Sequence, residues 1–179
     1  DDFYNDMQKF IALGPDGYVR FLYWNNGETD LHFVVCTNDD CTTKTDTLIA
    51  TAQPASMDSN TIVIGTDGLP RITYTDDYTY LHLIRCTNTD CSAKTDNIVD
   101  IGSYYEVALA LDSSNNPLIV YNDFTETPAK FNLAVCSDED CSMVATSTIH
   151  NYSGSSVGAL SVQIATDGFP RIVYSDRTS

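Results

Sequence analysis

The chain has 179 residues and is strongly acidic, with 25 Asp and Glu residues against nine Lys and Arg residues and a formal net charge of -16. Because nonspecific binding to phosphates depends on Lys and Arg, this balance argues against nucleic acid or an anionic membrane surface as a partner. Hydrophobic residues make up 42 % of the chain, enough for a packed core, which argues against disorder. No apolar run approaches the ~18 residues of a membrane span, so we expect no membrane insertion.

Two sequence modules recur along the chain at intervals of about 50 residues, which is typical of a repeat architecture. One module is a turn containing Asp-Gly, with a degenerate copy at 113–119, and the other is a pair of cysteines. In such a chain, a residue is compared with its counterparts in the other repeats before a function is assigned to it. The predicted repeats span about 8–52, 59–100 and 104–150, followed by a partial repeat at 157–179.

The second repeat predicts four strands. A short apolar run, Thr61-Ile62-Val63-Ile64, is followed by an Asp67-Gly68 turn and by an alternating segment at 70–74. Asp-Gly between two such runs is a strong hairpin signal, since glycine adopts positive φ without a steric penalty. Two more strand-like segments follow, at 80–86 and at 94–99. Four strands in about 50 residues match one blade of a β-propeller.

The six cysteines predict three local disulfides. Each pair is separated by four residues and flanks a predicted turn, where the two Cα atoms of a hairpin come close enough for a bridge. Zinc is disfavoured, because its four ligands must meet at one point whereas these pairs recur one repeat apart. Disulfides imply an extracellular, secreted protein, and a single glycosylation sequon at Asn151 agrees with secretion. The predicted pairs are Cys36 with Cys41, Cys86 with Cys91, and Cys136 with Cys141.

The hairpin motif Asp-Gly-x-Pro-Arg-Ile-x-Tyr, present at 67–74 and 167–174, together with the Cys-x4-Cys loop, resembles the repeats of secreted β-propeller proteins. The resemblance implies an all-β fold of four-stranded antiparallel blades, with three full repeats and a half repeat. It implies little about chemistry. Two observations agree with it: no segment shows the apolar spacing of a helix, and both faces of the segment 107–111 are apolar, as expected for blades stacked on both sides.

The partial repeat predicts an incomplete unit. A half blade has an unpaired backbone edge and an uncovered apolar face, both of which can pair with another chain. We therefore expect one propeller-type unit that is completed by more residues of a longer chain or by another subunit. The sequence leaves open whether the completed structure is a ring or a fibre.

No residue pattern predicts a catalytic, cofactor or metal site. His32 and His82 are equivalent residues of different blades, about 10 Å or more apart, and cannot share one metal ion. The acidic loops at 38–40, 88–90 and 138–140 are interpreted as solvated turns, with calcium left open, because one such turn supplies too few oxygens. Three recurring arginines are expected to form ion pairs with carboxylates between blades: Arg20, Arg71 and Arg171.

Four aromatic residues lack strict counterparts in the other repeats: Trp24, Tyr78, Tyr104 and Tyr105. Each could stack on a sugar or pack at a protein interface, or could instead fill a local core. The sequence therefore predicts a non-enzymatic extracellular structural or filament protein that self-associates or continues into a longer chain. The alternative is an adhesive or carbohydrate-binding module with glycans as partners. A glycosidase is less favoured, because no pair of carboxylates is marked by position.

Overall fold

The structure is a computed structural model that describes residues 11–25, 29–51, 60–77, 79–102, 104, 106–152 and 157–176. This part of the chain contains fourteen β-strands and no helix, and so none that could cross a membrane. The strands are β1 (Ile11–Leu13), β2 (Val19–Trp24), β3 (Asp30–Cys36), β4 (Lys44–Thr51), β5 (Thr61–Ile64), β6 (Pro70–Asp76), β7 (Tyr80–Cys86), β8 (Lys94–Ile101), β9 (Val107–Leu111), β10 (Pro117–Asp123), β11 (Ala129–Cys136), β12 (Val144–Tyr152), β13 (Val157–Ile164) and β14 (Pro170–Asp176).

The strands form three four-stranded antiparallel sheets and one two-stranded sheet, each in chain order. We call β1–β4 blade A, β5–β8 blade B, β9–β12 blade C and β13–β14 half blade D. The predicted fold class, an all-β arrangement of three full blades and a half, is confirmed. The first strands of the blades lie side by side, β1 next to β5, β5 next to β9 and β9 next to β13.

The Asp-Gly residues form the turn between the first two strands of a blade. In blade B, the Asp67 carboxylate accepts a hydrogen bond of 2.9 Å from the backbone N–H of Leu69, and this bond stabilises the turn. The following glycine has a positive φ that L-residues rarely adopt. In blade C, whose turn is degenerate, Asn115 takes the left-handed conformation with φ 63°. The glycines have φ between 77° and 82°: Gly17, Gly68 and Gly168.

Each pair of neighbouring blades encloses its own apolar core, because alternate residues of a strand point to opposite faces. The core between A and B includes Leu22, Phe33, Ile62, Ile72 and Tyr74. The core between B and C includes Leu81, Leu83, Val107, Ile119 and Tyr121. The core between C and D includes Val120, Phe131, Tyr152, Leu160 and Val162.

All three predicted disulfides are formed, and each closes the loop between the third and fourth strands of its blade. The bridged Cα atoms lie 4.8 Å apart in the pairs of blades A and B and 4.7 Å apart in that of blade C. The second cysteine of each pair has a positive φ, between 54° and 57°, a conformation costly for a residue with a side chain. The bridges indicate an oxidising environment.

We expect that removal of one bridge mainly affects its own blade. The double substitution Cys86→Ser with Cys91→Ser should lower the free energy of unfolding by about 2 kcal/mol, since closing so short a loop removes little chain entropy. Amide hydrogen exchange should rise in β7 and β8 more than in β3 and β4, because stability in repeat proteins is largely local. A uniform rise across all blades would contradict this prediction.

Candidate functional site

Two outer surfaces of the stacked blades are not covered by another blade in the described part of the chain. We call the side of blade A that points away from blade B the head face; its β1–β2 part includes Ile11, Leu13, Phe21 and Tyr23. We call the side of half blade D that points away from blade C the tail face; it includes Gln163, Arg171, Val173 and Ser175. The two faces lie at opposite ends of the stack.

The head face exposes apolar side chains whose counterparts are buried. Ile11 pairs with Phe21 in blade A as Ile62 pairs with Ile72 in blade B, so Ile11 and Ile62 hold equivalent positions. Ile11 is 61 % exposed and Leu13 is 66 % exposed, whereas Ile62 is only 5 % exposed because it packs against blade A. The head face therefore has the residues of a blade-to-blade contact without the second blade.

A cluster of Tyr, His and Asp side chains lies on the equivalent face of blade B. The Tyr74 hydroxyl donates a hydrogen bond of 2.7 Å to Asp96, and His82 Nδ1 lies 2.9 Å from the other oxygen of the same carboxylate. The Tyr74 and His82 rings stack with centroids 4.5 Å apart. Burial and the hydrogen bond to Asp96 raise the pKa of Tyr74. The buried Tyr74 belongs to the core between A and B, which makes this cluster part of the interface.

Blade A carries the same cluster on its head face. Tyr23 donates to Asp46 over 2.6 Å, and His32 Nδ1 lies 2.8 Å from the same carboxylate. The hydrogen bond to Asp46, aided by burial, raises the pKa of Tyr23 to about 12. The two histidines were predicted to be equivalent residues, whereas Asp46 and Asp96 were not predicted as their partners. The signal was present, since Lys-Thr-Asp recurs at 44–46 and 94–96.

The interface between B and C is also joined by an ionic contact. Glu139, in the disulfide loop of blade C, lies 3.0 Å from Arg71 Nη2 and 2.6 Å from Arg85 Nη2, both of blade B. Arg71 also donates to Asp67 of its own turn over 2.9 Å. Burial acts to raise the pKa of Asp67, but the hydrogen bonds from Arg71 and the backbone outweigh it, and the pKa is lowered. Of the three arginines expected to form ion pairs between blades, Arg71 does so; in the described residues, Arg20 and Arg171 pair instead with the aspartates of their own turns.

Two of the four predicted aromatic residues lie in the described part of the chain, and both pack inside the protein. Tyr104 is fully buried in the core between B and C, with its ring edge-on to Tyr121. Trp24 is partly buried and packs against the core between A and B. Tyr78 and Tyr105 lie outside the described residues. The interpretation of these four as ligand or interface contacts therefore stays a prediction.

The other predicted features lie at the surface. Asn151 is exposed on β12, and Ser153, the third residue of its sequon, lies outside the described residues. Across the described ranges, no three His, Cys, Asp or Glu side chains come together in a way that could hold a metal ion. The loop carboxylates instead accept hydrogen bonds from hydroxyls of their own loops, which lowers the pKa of Asp40 and Asp138.

Comparison with known proteins adds no functional assignment. The chain matches no protein-family model, and a search of curated proteins finds no significant match. Function is therefore inferred from the geometry of the blades and their free surfaces.

Proposed function

We propose that this protein is a non-enzymatic structural subunit of an extracellular assembly, in which subunits join by repeating the blade-to-blade contact found within the chain. The head face of one copy packs against the blade at the tail of another. Secretion is consistent with the three disulfides. The observation that carries the proposal is the exposure of Ile11 at 61 % where its counterpart Ile62, at 5 %, is buried by a neighbouring blade.

The composition of the head face supports a protein partner. Exposed apolar side chains that are contiguous on one sheet face mark an interaction surface. Here the apolar residues flank the Tyr23, His32 and Asp46 cluster; in the counterpart cluster of blade B, Tyr74 is buried in the core between A and B. A second blade would cover the apolar side chains and the Tyr23 ring in the arrangement already used inside the chain. The contact is heterologous, and its repetition forms a ring or a filament.

Half blade D supports the proposal through its edge. In blades A, B and C the second strand pairs with a third, but within the described residues β14 pairs only with β13. An unpaired strand edge readily accepts another strand, since main-chain hydrogen bonds and apolar contacts form together. Val173, which is 70 % exposed on the tail face, would be covered by a blade that packs on that face.

The carbohydrate-binding alternative gains less support. It depended on non-periodic aromatic rings at a loop or rim. Of the four candidates, Tyr104 is buried and Trp24 packs against an interblade core. Neither residue therefore exposes a ring face large enough to stack on a sugar.

The substitution Leu13→Asp tests the proposed assembly. A charge on the contact surface should weaken self-association of the 179-residue chain at least about tenfold, since a buried unpaired carboxylate is strongly unfavourable. Sedimentation velocity from low to high micromolar concentration in physiological salt measures the effect.

Met143→Asp provides a matched control. Met143 and Leu13 are both 66 % exposed, but Met143 lies in the disulfide loop of blade C. The control should assemble like the wild type and melt at the same temperature. A wild-type chain that stays monomeric over the whole range would refute the proposed function.

A further inference from the structure

Three equivalent arginines adopt one pose in three blades. In each, a guanidinium nitrogen donates to the aspartate four residues earlier: Arg20 to Asp16 over 2.6 Å, Arg71 to Asp67 over 2.9 Å and Arg171 to Asp167 over 2.6 Å. Another nitrogen donates to the backbone carbonyl two residues earlier in every case. The hairpin itself therefore orients this side chain toward the following blade.

The three arginines differ in what covers them. The side chain of Arg20, on the side of blade A that points to blade B, is 6 % exposed, and that of Arg71, in contact with blade C, is 0 % exposed. That of Arg171 is 58 % exposed on the tail face. Arg171 thus has the geometry of an interblade arginine, held by the same local contacts, with no blade after it in the described residues.

The contact of Arg71 identifies the chemistry of the missing partner. Glu139, in the disulfide loop of blade C, accepts a hydrogen bond of 3.0 Å from Arg71. The equivalent partner of Arg171 in another copy would be a carboxylate in the disulfide loop of the blade that packs on the tail face. Glu139 is the third residue after the first cysteine of its loop. In blade A, the third residue after Cys36 is Asp39, which is exposed.

The loops of blades A and C present these two acids in the same way. Both loops are closed by the same backbone bonds, Cys41 N–H to Asn38 C=O at 3.2 Å and Cys141 N–H to Asp138 C=O at 3.1 Å. Asp39 therefore lies beside the head face of blade A in the same way that Glu139 lies beside the face of blade C that contacts blade B. The corresponding residue of blade B is Thr89, and so Asp39 and Glu139 are the two acids at this position.

Given the proposed function, on which this inference rests, we propose that Arg171 of one copy forms an ion pair with Asp39 of a second copy, head to tail. The second copy supplies blade A as the blade that follows half blade D. Such charge complementarity fixes the register of a contact whose apolar part is not directional. It also explains why an arginine already bonded to Asp167 is left on the tail face of a strongly acidic protein.

Charge reversal tests the pair. Arg171→Glu alone and Asp39→Arg alone should each weaken self-association at least about tenfold, because each places like charges opposite one another. A one-to-one mixture of the two variants should assemble again, since every junction of an alternating array then has opposite charges. Sedimentation velocity of each variant and of the mixture gives the result. Lys130→Glu, which makes the same change of charge at the end of blade C away from its disulfide loop, should assemble normally.

The outcomes separate this inference from the proposed function. If Leu13→Asp abolishes assembly while Arg171→Glu and Asp39→Arg leave it unchanged, the head-to-tail ion pair is refuted and the assembly role stands. The same holds if both reversals weaken assembly but their mixture fails to restore it. A wild-type chain that does not self-associate refutes both. Asp39→Glu, which keeps the charge, should retain assembly.

Discussion

Replacing Arg71 with methionine is expected to lower the free energy of unfolding by about 2 to 4 kcal/mol, because the Asp67 carboxylate loses its counter-ion and Glu139 loses one of its two arginines. Methionine has a similar length and keeps most of the packing. Two carboxylates that share the Arg71 guanidinium, those of Asp67 and Glu139, would then face each other across the interface. Urea denaturation followed by circular dichroism measures the loss.

The matched control is Arg171→Met. Arg171 has the same local bonds, but its side chain is 58 % exposed and no second blade covers it in the described chain. An exposed ion pair contributes on the order of 0.5 kcal/mol or less, so this variant should unfold at nearly the wild-type urea concentration. Equal losses in the two variants would show that the turn, and not the interblade contact with Glu139, accounts for the effect of Arg71→Met.

The fold was predictable because its signals are local. An Asp-Gly turn fixes a hairpin through the conformation of Gly68 and the hydrogen bond that Asp67 accepts, and neither depends on distant residues. The disulfide between Cys86 and Cys91 likewise spans only a short loop. Repetition of these short-range features at a fixed interval is enough to define the blades.

The interfaces were predicted only in outline because their contacts are not local. Arg71 and Glu139 are 68 residues apart, and the sequence indicates only that an arginine should meet some carboxylate. The burial of Trp24 depends on side chains from blade B that no local pattern connects with it. The Asp96 carboxylate between Tyr74 and His82 was missed because the three residues lie on three strands whose register is set by two loops.

Ile62 and Ile11 hold equivalent positions in blades B and A, and substitution of the buried one should cause a large loss of stability. Ile62→Asp should lower the free energy of unfolding by about 4 kcal/mol or more, enough to unfold a marginally stable domain, because a carboxylate would be buried without a partner. Ile62 is 5 % exposed in the core between A and B, whose residues include no Lys, Arg or His that could act as a counter-ion. Thermal unfolding followed by circular dichroism measures the loss.

Ile11→Asp makes the same chemical change at the same position of the preceding blade, with the opposite expected outcome. Ile11 is 61 % exposed, so the charge stays in water and the melting temperature should remain close to that of the wild type. Self-association should nevertheless be lost, because the carboxylate would be buried only when a second copy packs on the head face. A stable variant that still assembles would show that the head face is not the contact. A variant that unfolds would show that Ile11 is already covered within the chain.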